Sequence, residues 1–525
     1  MEVLTATQMR ALEQAAMQAG EVTGLTLMER AGQGVVEAIA AHWPELAPAD
    51  AAERGASPSR SPEYFETKDA RRAVVFCGPG NNGGDGFVVA RMLAAQGWAV
   101  SVFLFGEAAR LPEDARCNYE RWHGIGAVGG VDGLAEAVDG CDLFVDAGFG
   151  IGLTRPLPPD LCAVARLLRE SGVRRVAVDV PSGLCSESGR SLGRGPDGVF
   201  CSDLTVTFHT AKPGHYLADG PGICGTLIVK GIGLRSGPPE TGLRLARVAD
   251  GLDKARGHKF HHGHALVLSG GPGKTGAARL AARGALRIGA GLVTLGVPPA
   301  AQQEVASQIT ALMVQRVADA DQVTEVLSDA RFTALCLGPG FGLDEKHAAR
   351  VEAALRSGRP TVLDADALTL IAQRPELAAL VHATCVLTPH AGEFQRLFPD
   401  LAERLAAPAE RGPATSKVEV TRAAAARIGA VVLYKGPDTV IAAPDGRCVL
   451  HAAAYGRRAP WLATAGSGDV LAGFITGLLA RGVAPLQAAE TGARLHVDCA
   501  RSFGPGLIAE DLPEELPKVL RAQLA

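Results

Sequence analysis

The chain has 525 residues, 47% of them hydrophobic and 21% charged, and a formal net charge of −4. That length exceeds what one hydrophobic core usually supports, so two domains are expected, and the composition excludes a disordered chain. A near-neutral balance without a basic block argues against nucleic acid and anionic membrane as partners.

The opening, MEVLTATQMRALEQ, has no basic region leading into an apolar one, so no signal peptide is expected. Short apolar runs then alternate with Ala- and Leu-rich helical patterns. AVVF, VSVFLF, DLFVDA and RRVAVDV occupy the first half, and HALVLSGG, ALCLGPG, PTVLDADAL, CVLTPH and VVLYKG the second. This alternation predicts an α/β chain with mostly parallel sheets covered on both faces, which bind ligands at the carboxyl ends of their strands. Residues 47–70, polar and rich in Ala, Pro and Ser, read as a loop insertion before the first strand. LRSGPPETG, at 234–242, marks a connection over 236–254 between domains spanning 1–235 and 255–525. The longest apolar run, VLAGFITGLLA, is too short to span a bilayer. Eleven cysteines without a C-x-x-C predict reduced thiols and a cytoplasmic protein.

In FCGPGNNGGDGFVVAR, Gly78, Gly80 and Gly83 spell G-x-G-x-x-G after a strand. As a dinucleotide fingerprint this is weak, because Asp85 sits where the pyrophosphate would lie and would repel it. Asn81, Asn82 and Asp85 either cap the following helix or offer short polar ligands. FVDAGFGIGLTRP places Asp146 at a strand end before a glycine-rich loop with Arg155, and VAVDVPSGL places Asp179 and Ser182 at another. Oxygen ligands from Asn82, Asp146 and Ser182, with one carboxylate among them, suit a weakly charged hard cation better than zinc.

NNGGDG, VDAGFGIGLTRP, VDVPSGL and FHTAKPGHYLADGPGICGTLIVKGIGL together resemble NAD(P)H-hydrate epimerase, as does the opening LTATQMRALEQAAMQAGEVTGLTLMERAG. The resemblance covers nearly all of residues 1–235. It implies a Rossmann-like three-layer domain and a potassium ion held by Asn82, Asp146 and Ser182. It implies substrate contacts from Asn81, Asn82, Gly83, Gly84 and Asp85, and from Asp179. The loop Gly150, Ile151, Gly152, Leu153, Thr154, Arg155 and Pro156 would add more. Ile151 stands where the family usually has threonine. The implied reaction interconverts the epimers of NADH or NADPH hydrated at C6 of the nicotinamide ring, and Asp179 is the candidate to shuttle the proton.

In the second half, SGGPGKTG fails as a P-loop because Leu268 stands where the first Walker glycine belongs. HKFHHGH, at 258–264, lacks zinc spacing and reads as a polar loop leading into a strand. LATAGSGDVLAGFITGLLARG carries more information. Its small residues run into a helix expected to begin around Asp469, so that backbone N–H groups form an anion hole. Asp469 can take a proton from a substrate hydroxyl or serve as the helix N-cap. Lys435, in YKGPDT after a strand, suits nucleotide phosphate.

In order, HGHALVLSGGPGKTGAARLAARGALRIGAGLVTL, LGPGFG, VLDADAL, LTPHAGEF, YKGPDT and ATAGSGD resemble ADP-dependent NAD(P)H-hydrate dehydratase, a ribokinase-like enzyme, over about 255–515. The resemblance implies substrate contacts from Ala277, Gly340, Gly342, His390 and Asp469. It implies nucleotide contacts from Lys435, Gly436, Pro437, Asp438, Thr439 and Gly468. Arg457 and Arg458 stand where the family often has a glycine and a small polar residue. The implied chemistry phosphorylates the C6 hydroxyl from ADP with Mg2+, turning a poor leaving group into a good one. The two halves together imply a repair enzyme for hydrated NADH and NADPH, expected as a homo-oligomer. The alternatives are a ribokinase-like kinase of a vitamin precursor with a regulatory first domain, and a first domain that only binds nucleotide. A plain dehydrogenase fits least.

Overall fold

The structure, a computed structural model, describes residues 2–46, 70–193, 195–234, 242–254 and 257–524. The expected insertion at 47–70 lies, but for Ala70, outside the described residues, as does 236–241 of the expected connection. The chain forms two compact units. The first is Met1–Thr241 with Pro408–Ser416, and the second is Gly242–Ala407 with Lys417–Ala525.

In the first unit, seven strands form one sheet: β1 (Arg72–Cys77), β2 (Ala99–Leu104), β3 (Val128–Gly130), β4 (Leu143–Ala147), β5 (Arg174–Val178), β6 (Leu204–Phe208) and β7 (Thr226–Lys230). Their order is β3-β2-β1-β4-β5-β6-β7 and every pairing is parallel. The apolar runs are continuous because the central strands are covered on both faces; β4 and β6 are buried throughout. The order reverses between β1 and β4, which opens a crevice at their carboxyl ends. Gly78, just past β1, donates its N–H to Ala147 O at 3.0 Å, and a Cβ there would collide with the Gly148 carbonyl. The two strand-end loops thus meet backbone to backbone, and only glycine allows it.

The second unit holds ten strands: β8 (Leu243–Leu245), β9 (His264–Leu268), β10 (Leu292–Val297), β11 (Met313–Arg316), β12 (Ala334–Leu337), β13 (Thr361–Leu363), β14 (Cys385–Leu387), β15 (Val431–Tyr434), β16 (Asp438–Ala442) and β17 (Cys448–Ala452). The order is β11-β10-β9-β12-β13-β14-β15-β16-β17-β8. Pairing is parallel from β11 to β15, antiparallel through β15-β16-β17, and parallel again onto β8. β8 thus lies inside the stretch 236–254. This sheet reverses between β9 and β12, and the same device recurs. A Cβ on Gly270, after β9, would strike the Gly340 carbonyl, after β12.

The apolar run VLAGFITGLLA is the buried body of helix Ser467–Ala480. It packs beside helix Gly276–Arg287 so closely that a Cβ on Gly473 would meet the Ala281 backbone. Among the described residues no helix is long and apolar enough to cross a membrane.

Candidate active sites

At the first switch point, NNGGDG is helical: the helix runs Asn81–Ala95, its N-cap is Gly80, and no side chain caps it. The capping role considered for Asn81, Asn82 and Asp85 is therefore corrected. The first two lie in the first turn and Asp85 lies beyond it, with Gly83 and Gly84 buried between. Asn82 faces the glycine-rich loop. In one amide orientation it accepts from Gly150 N–H at 3.3 Å and donates to Val178 O at 3.2 Å. In the other its oxygen faces the Val178 carbonyl.

Asp146 is buried at the end of β4. Its carboxylate accepts from Ser182 N–H (2.7 Å), Ser182 Oγ (2.6 Å) and Gly148 N–H (3.1 Å), while Ser182 Oγ accepts from Phe149 N–H (2.8 Å). Burial pushes its pKa up to about 6 against these hydrogen bonds.

Asp179 follows β5 in a left-handed conformation, φ 67°, a strained geometry that turns its side chain into the crevice mouth. Its Oδ1 accepts from Lys212 Nζ at 2.6 Å and Thr207 Oγ1 at 2.7 Å. Lys212 is only 1% exposed and also donates to Thr207 Oγ1 (2.8 Å) and Phe208 O (3.3 Å). His215 is held as one neutral tautomer: Nε2–H donates to Asp179 O at 3.0 Å and Nδ1 accepts Lys212 N–H at 3.0 Å. Burial, with Lys212 beside it, drops its pKa to about 4. Burial works against an ionised Asp179, but the charge and hydrogen bond of Lys212 outweigh it and hold the carboxyl below the ordinary range. Asp179 Oδ2 would lie 3.4 Å from a Cβ on Gly150, so the predicted loop and Asp179 meet. Ile151 O accepts from Arg10 Nη2 (3.2 Å) and Thr154 O from Gly412 N–H (3.0 Å). Pro156 packs toward Gly193, while Gly152, Thr154 and Arg155 are exposed and Leu153 is half-buried.

At the second switch point, Gly340 lies against Ala277: a Cβ on Gly340 would stand 3.5 Å from the Ala277 Cβ. Gly342 N–H donates to Asp366 Oδ2 at 2.8 Å. Lys435, past β15, donates to Asp364 Oδ1 at 2.8 Å and lies 3.9 Å from Glu393. Burial disfavours its charge, but Asp364 and Glu393 more than offset that and hold its pKa above the usual lysine value. A Cβ on Gly468 would be 3.4 Å from Lys435 Nζ, which joins the predicted lysine to the predicted helix start. That helix begins at Ser467, and its N-cap is Gly466, left-handed at φ 86° with no side-chain cap. Asp469 is therefore its third residue and not its N-cap. His496 Nε2–H donates to Ser467 O at 2.8 Å and fixes this turn from behind. The first N–H groups of a helix have no intrahelical partner, so this turn presents anion donors. Burial, then the nearby Asp364, pushes the Asp469 pKa up to about 6 against the pull of Lys435; Asp366 and Glu393 add to the rise.

His390 is the N-cap of helix Ala391–Leu397, with Nδ1 accepting Gly392 N–H at 3.0 Å and Glu393 closing the capping box. Gly436 N–H and O both meet Thr439 Oγ1, Pro437 O accepts from Ala453 N–H at 2.7 Å, and Asp438 accepts from Lys417 Nζ at 2.7 Å. Arg457 is tied to Asp498 at 2.9 Å.

The sequence reasoning missed Lys212 and Thr207 in the first site, and Asp364, Asp366 and Glu393 in the second. Each lies in a motif already singled out: FHTAKPG, preceded by the TVT of β6, then VLDADAL and HAGEF. The signal available was, for Asp364, an acid directly past a buried strand; Lys212, Asp366 and Glu393 lie further along their strand-end loops and Thr207 lies within β6. The motif HKFHHGH forms a short helical turn over Lys259–His262 and then β9, in keeping with a loop that leads into a strand. Among the described residues no cluster of three or more His, Cys, Asp or Glu could hold a metal ion.

The two sites define a two-domain α/β enzyme with a strand-end crevice in each sheet. Residues 24–214 match the family profile described as YjeF-related protein N-terminus, and 265–520 match the one described as NAD(P)H-hydrate dehydratase. A bifunctional NAD(P)H-hydrate repair enzyme of Moorella thermoacetica is 35% identical over 99% of this chain and 97% of its own length. The Escherichia coli enzyme of that name is 31% identical over 97% and 92%. An NAD(P)H-hydrate epimerase of Rhodobacter capsulatus is 45% identical over 44% of this chain and 99% of its own. The crystal structure of an ADP/ATP-dependent NAD(P)H-hydrate dehydratase from Bacillus subtilis, co-crystallised with ATP and Mg2+, is 28% identical over 53% of this chain and 94% of that one, with a TM-score of 0.44. The chain belongs to the bifunctional NAD(P)H-hydrate repair enzymes. Relatives matched from end to end thus favour repair over the vitamin-precursor kinase.

Proposed function

We propose that residues 1–235 interconvert the R and S epimers of hydrated NADH and NADPH at C6, and that residues 255–525 dehydrate the S epimer with ADP as phosphoryl donor. The observation that carries the second half is Asp469 beside Lys435 at the uncapped start of helix Ser467–Ala480. Asp469 takes the proton of the C6 hydroxyl as its oxygen attacks the terminal phosphorus of ADP, the bond from that phosphorus to the bridging oxygen breaks, and AMP leaves with the electron pair. Lys435 and the N–H groups of the helix start stabilise the moving charge. The leaving group is then phosphate: the C6–O bond breaks with its electron pair, the ring nitrogen supplies the push, and loss of a proton from C5 restores the dihydropyridine. Ala277, Gly340, Gly342 and His390 line the substrate side, and Gly436, Pro437, Asp438, Thr439 and Gly468 the nucleotide side.

The oxygen-rich surroundings of Lys435, with Asp364, Asp366 and Glu393, suit Mg2+ carried on nucleotide phosphates, where it supplies charge neutralisation. In the first unit, Asp146 is a buried carboxylate with no cationic partner among the described residues. This fits a potassium ion held by Asn82, Asp146 and Ser182, which would offset the buried charge. Asn81, Gly83, Gly84, Asp85, the Gly150–Pro156 loop and Asp179 are the proposed substrate contacts. Exposed Leu343, Trp461, Phe503 and Ile508 offer apolar surface for a homo-oligomer, a point light scattering tests.

The test supplies a mixture of both epimers with Mg2+, K+ and either ADP or ATP, and follows the near-UV absorbance of reduced nicotinamide. Complete recovery with ADP supports both activities. Recovery that stops at the starting share of one epimer removes the epimerase. Recovery with ATP alone overturns the choice of donor.

A further inference from the structure

The N-terminal helix Ala6–Gln18 has no role in the sites described above, yet it is fastened to them at several points. Before it, Leu4 N–H donates to Ala211 O at 3.3 Å and Glu2 O accepts from Thr210 Oγ1 at 2.6 Å. Both partners immediately precede Lys212. At its start, Ala6 N–H donates to Glu187 Oε1 at 2.6 Å. Along it, Met9, Leu12 and Ala16 are buried in the core against which Ile151 packs. Arg10 Nη2 holds Ile151 O at 3.2 Å, and a Cβ on Gly152 would stand 3.4 Å from it. Glu13 is one turn further along, three residues from Arg10 and therefore on the same side of the helix.

Glu13 is half-buried. The charged groups that face it are Arg10 on its own helix, Asp179 and Lys212 beyond β5 and β6, and Asp85 on helix Asn81–Ala95. A carboxyl in such a place is either paired or proton-bearing, and the two cations that act on it among the described residues are already engaged: Lys212 by Asp179 and Arg10 by the loop carbonyl. Burial, then repulsion from Asp179, pushes the Glu13 pKa up to about 7, although Lys212 and Arg10 pull it down. Asp179, one element away, is held ionised. Two carboxyls whose surroundings drive their protonation apart are the arrangement an acid–base pair requires.

We propose that Glu13 is a further catalytic residue of the epimerase site, the acid that protonates the departing C6 hydroxyl while ionised Asp179 deprotonates the incoming water. The inference rests on the epimerase reading of this unit. In the step, the C6–O bond breaks and its electron pair leaves with the oxygen, which takes a proton from Glu13 and departs as water. The lone pair of N1 forms the N1=C6 bond. Water then adds to the other face of C6, its proton passes to Asp179, and the π pair returns to N1. Reverse epimerisation exchanges the two roles, and both carboxyls recover their protonation from solvent. No oxidant or other reactant is consumed.

The test is Glu13→Gln in the full chain, with Glu13→Asp beside it, started from one pure epimer and read by chromatography of the two. Gln keeps the shape and removes an ionisation, so the unit should fold; the thermal transition checks this, and Glu13→Asp serves if it does not. The expected result for Glu13→Gln is a kcat for epimerisation lower by on the order of 10²-fold or more with KM little changed, since general acid catalysis contributes that much. Wild-type kcat should fall as pH rises through about 7, and this limb should vanish in Glu13→Gln. Glu13→Asp should retain part of the rate and the limb. Epimerisation by Glu13→Gln at the wild-type rate, or a change in KM alone, overturns the proposal. A wild-type chain that fails to equalise the epimers overturns the epimerase reading instead.

Discussion

Each unit sets a lysine against an aspartate just past a buried strand: Lys212 with Asp179 after β5, and Lys435 with Asp364 after β13. The bonds are alike, 2.6 and 2.8 Å, but the exposure is not. The Lys212 side chain is 1% exposed and spends its protons on Asp179, Thr207 and Phe208. The Lys435 side chain is 19% exposed and stands beside the amide donors of Gly468. The first lysine can only tune its aspartate, which is held ionised. In the proposed function the second keeps a face for a ligand phosphate, and the group left to titrate there is Asp469. One ion pair thus serves two chemistries, according to which partner is left accessible.

The largest effect should come from Asp469→Asn. Loss of a positioned base lowers dehydration of the S epimer by roughly 10²- to 10⁴-fold, while equilibration of the epimers proceeds at the wild-type rate. Chromatography for the one and absorbance recovery for the other measure both in the same tube. A matching loss of epimerisation would break the division of labour between the units.

Lys212→Met comes next. It strands a buried aspartate without its cation, which costs roughly 3–5 kcal/mol and lifts the Asp179 pKa. The expected outcome is a lower thermal transition for the first unit and lost epimerisation. Lys435→Met, at a more open position, should act first on the KM for nucleotide. Equal destabilisation by the two would erase the contrast drawn from exposure.

Acid separates the units a third way. Asp469 must be ionised to act as a base, and its pKa is raised to about 6. Dehydration should therefore be present above that pH and fall about tenfold per unit below it. Asp179 is held below the ordinary carboxylate range, so on the acid side epimerisation should outlast dehydration. Rate profiles from single-epimer substrates measure each limb.

How much of this was legible beforehand follows from the physics of each residue. The continuous apolar strands and their glycine-rich ends marked two mostly parallel sheets, and the candidate site residues come together at the strand-end loops. Capping was misjudged. Asn81, Asn82, Asp85 and Asp469 have the composition of caps, but Gly80 and Gly466 take that position; Gly466 is left-handed at φ 86°, a conformation that favours glycine, whereas a Cβ on Gly80 would meet open space and nothing in the structure explains glycine there. Lys212, Asp364 and Glu393 escaped because a buried charge announces itself only through its partner, and each partner lies tens of residues away. Glu13 was hidden differently, as one acidic residue in an amphipathic helix, where a solvated face is the ordinary fate.

The smallest effect is expected at Ile151, the departure from threonine in the glycine-rich loop. Its side chain packs beside the core of the first unit, while its carbonyl takes the Arg10 bond. What the loop gives to the site at this position is therefore backbone, and a side chain of similar size leaves it in place. Ile151→Thr should change kcat/KM for epimerisation by no more than about twofold to threefold, on the order of 0.5 kcal/mol, because it leaves the backbone of the loop in place. Arg10→Ala removes the hydrogen bond to that carbonyl and should cost more, about 0.5–1.5 kcal/mol for a solvent-exposed bond, read as a rise in KM. If Ile151→Thr proves the more damaging of the two, the loop binds through its side chains, and the backbone account of this site fails.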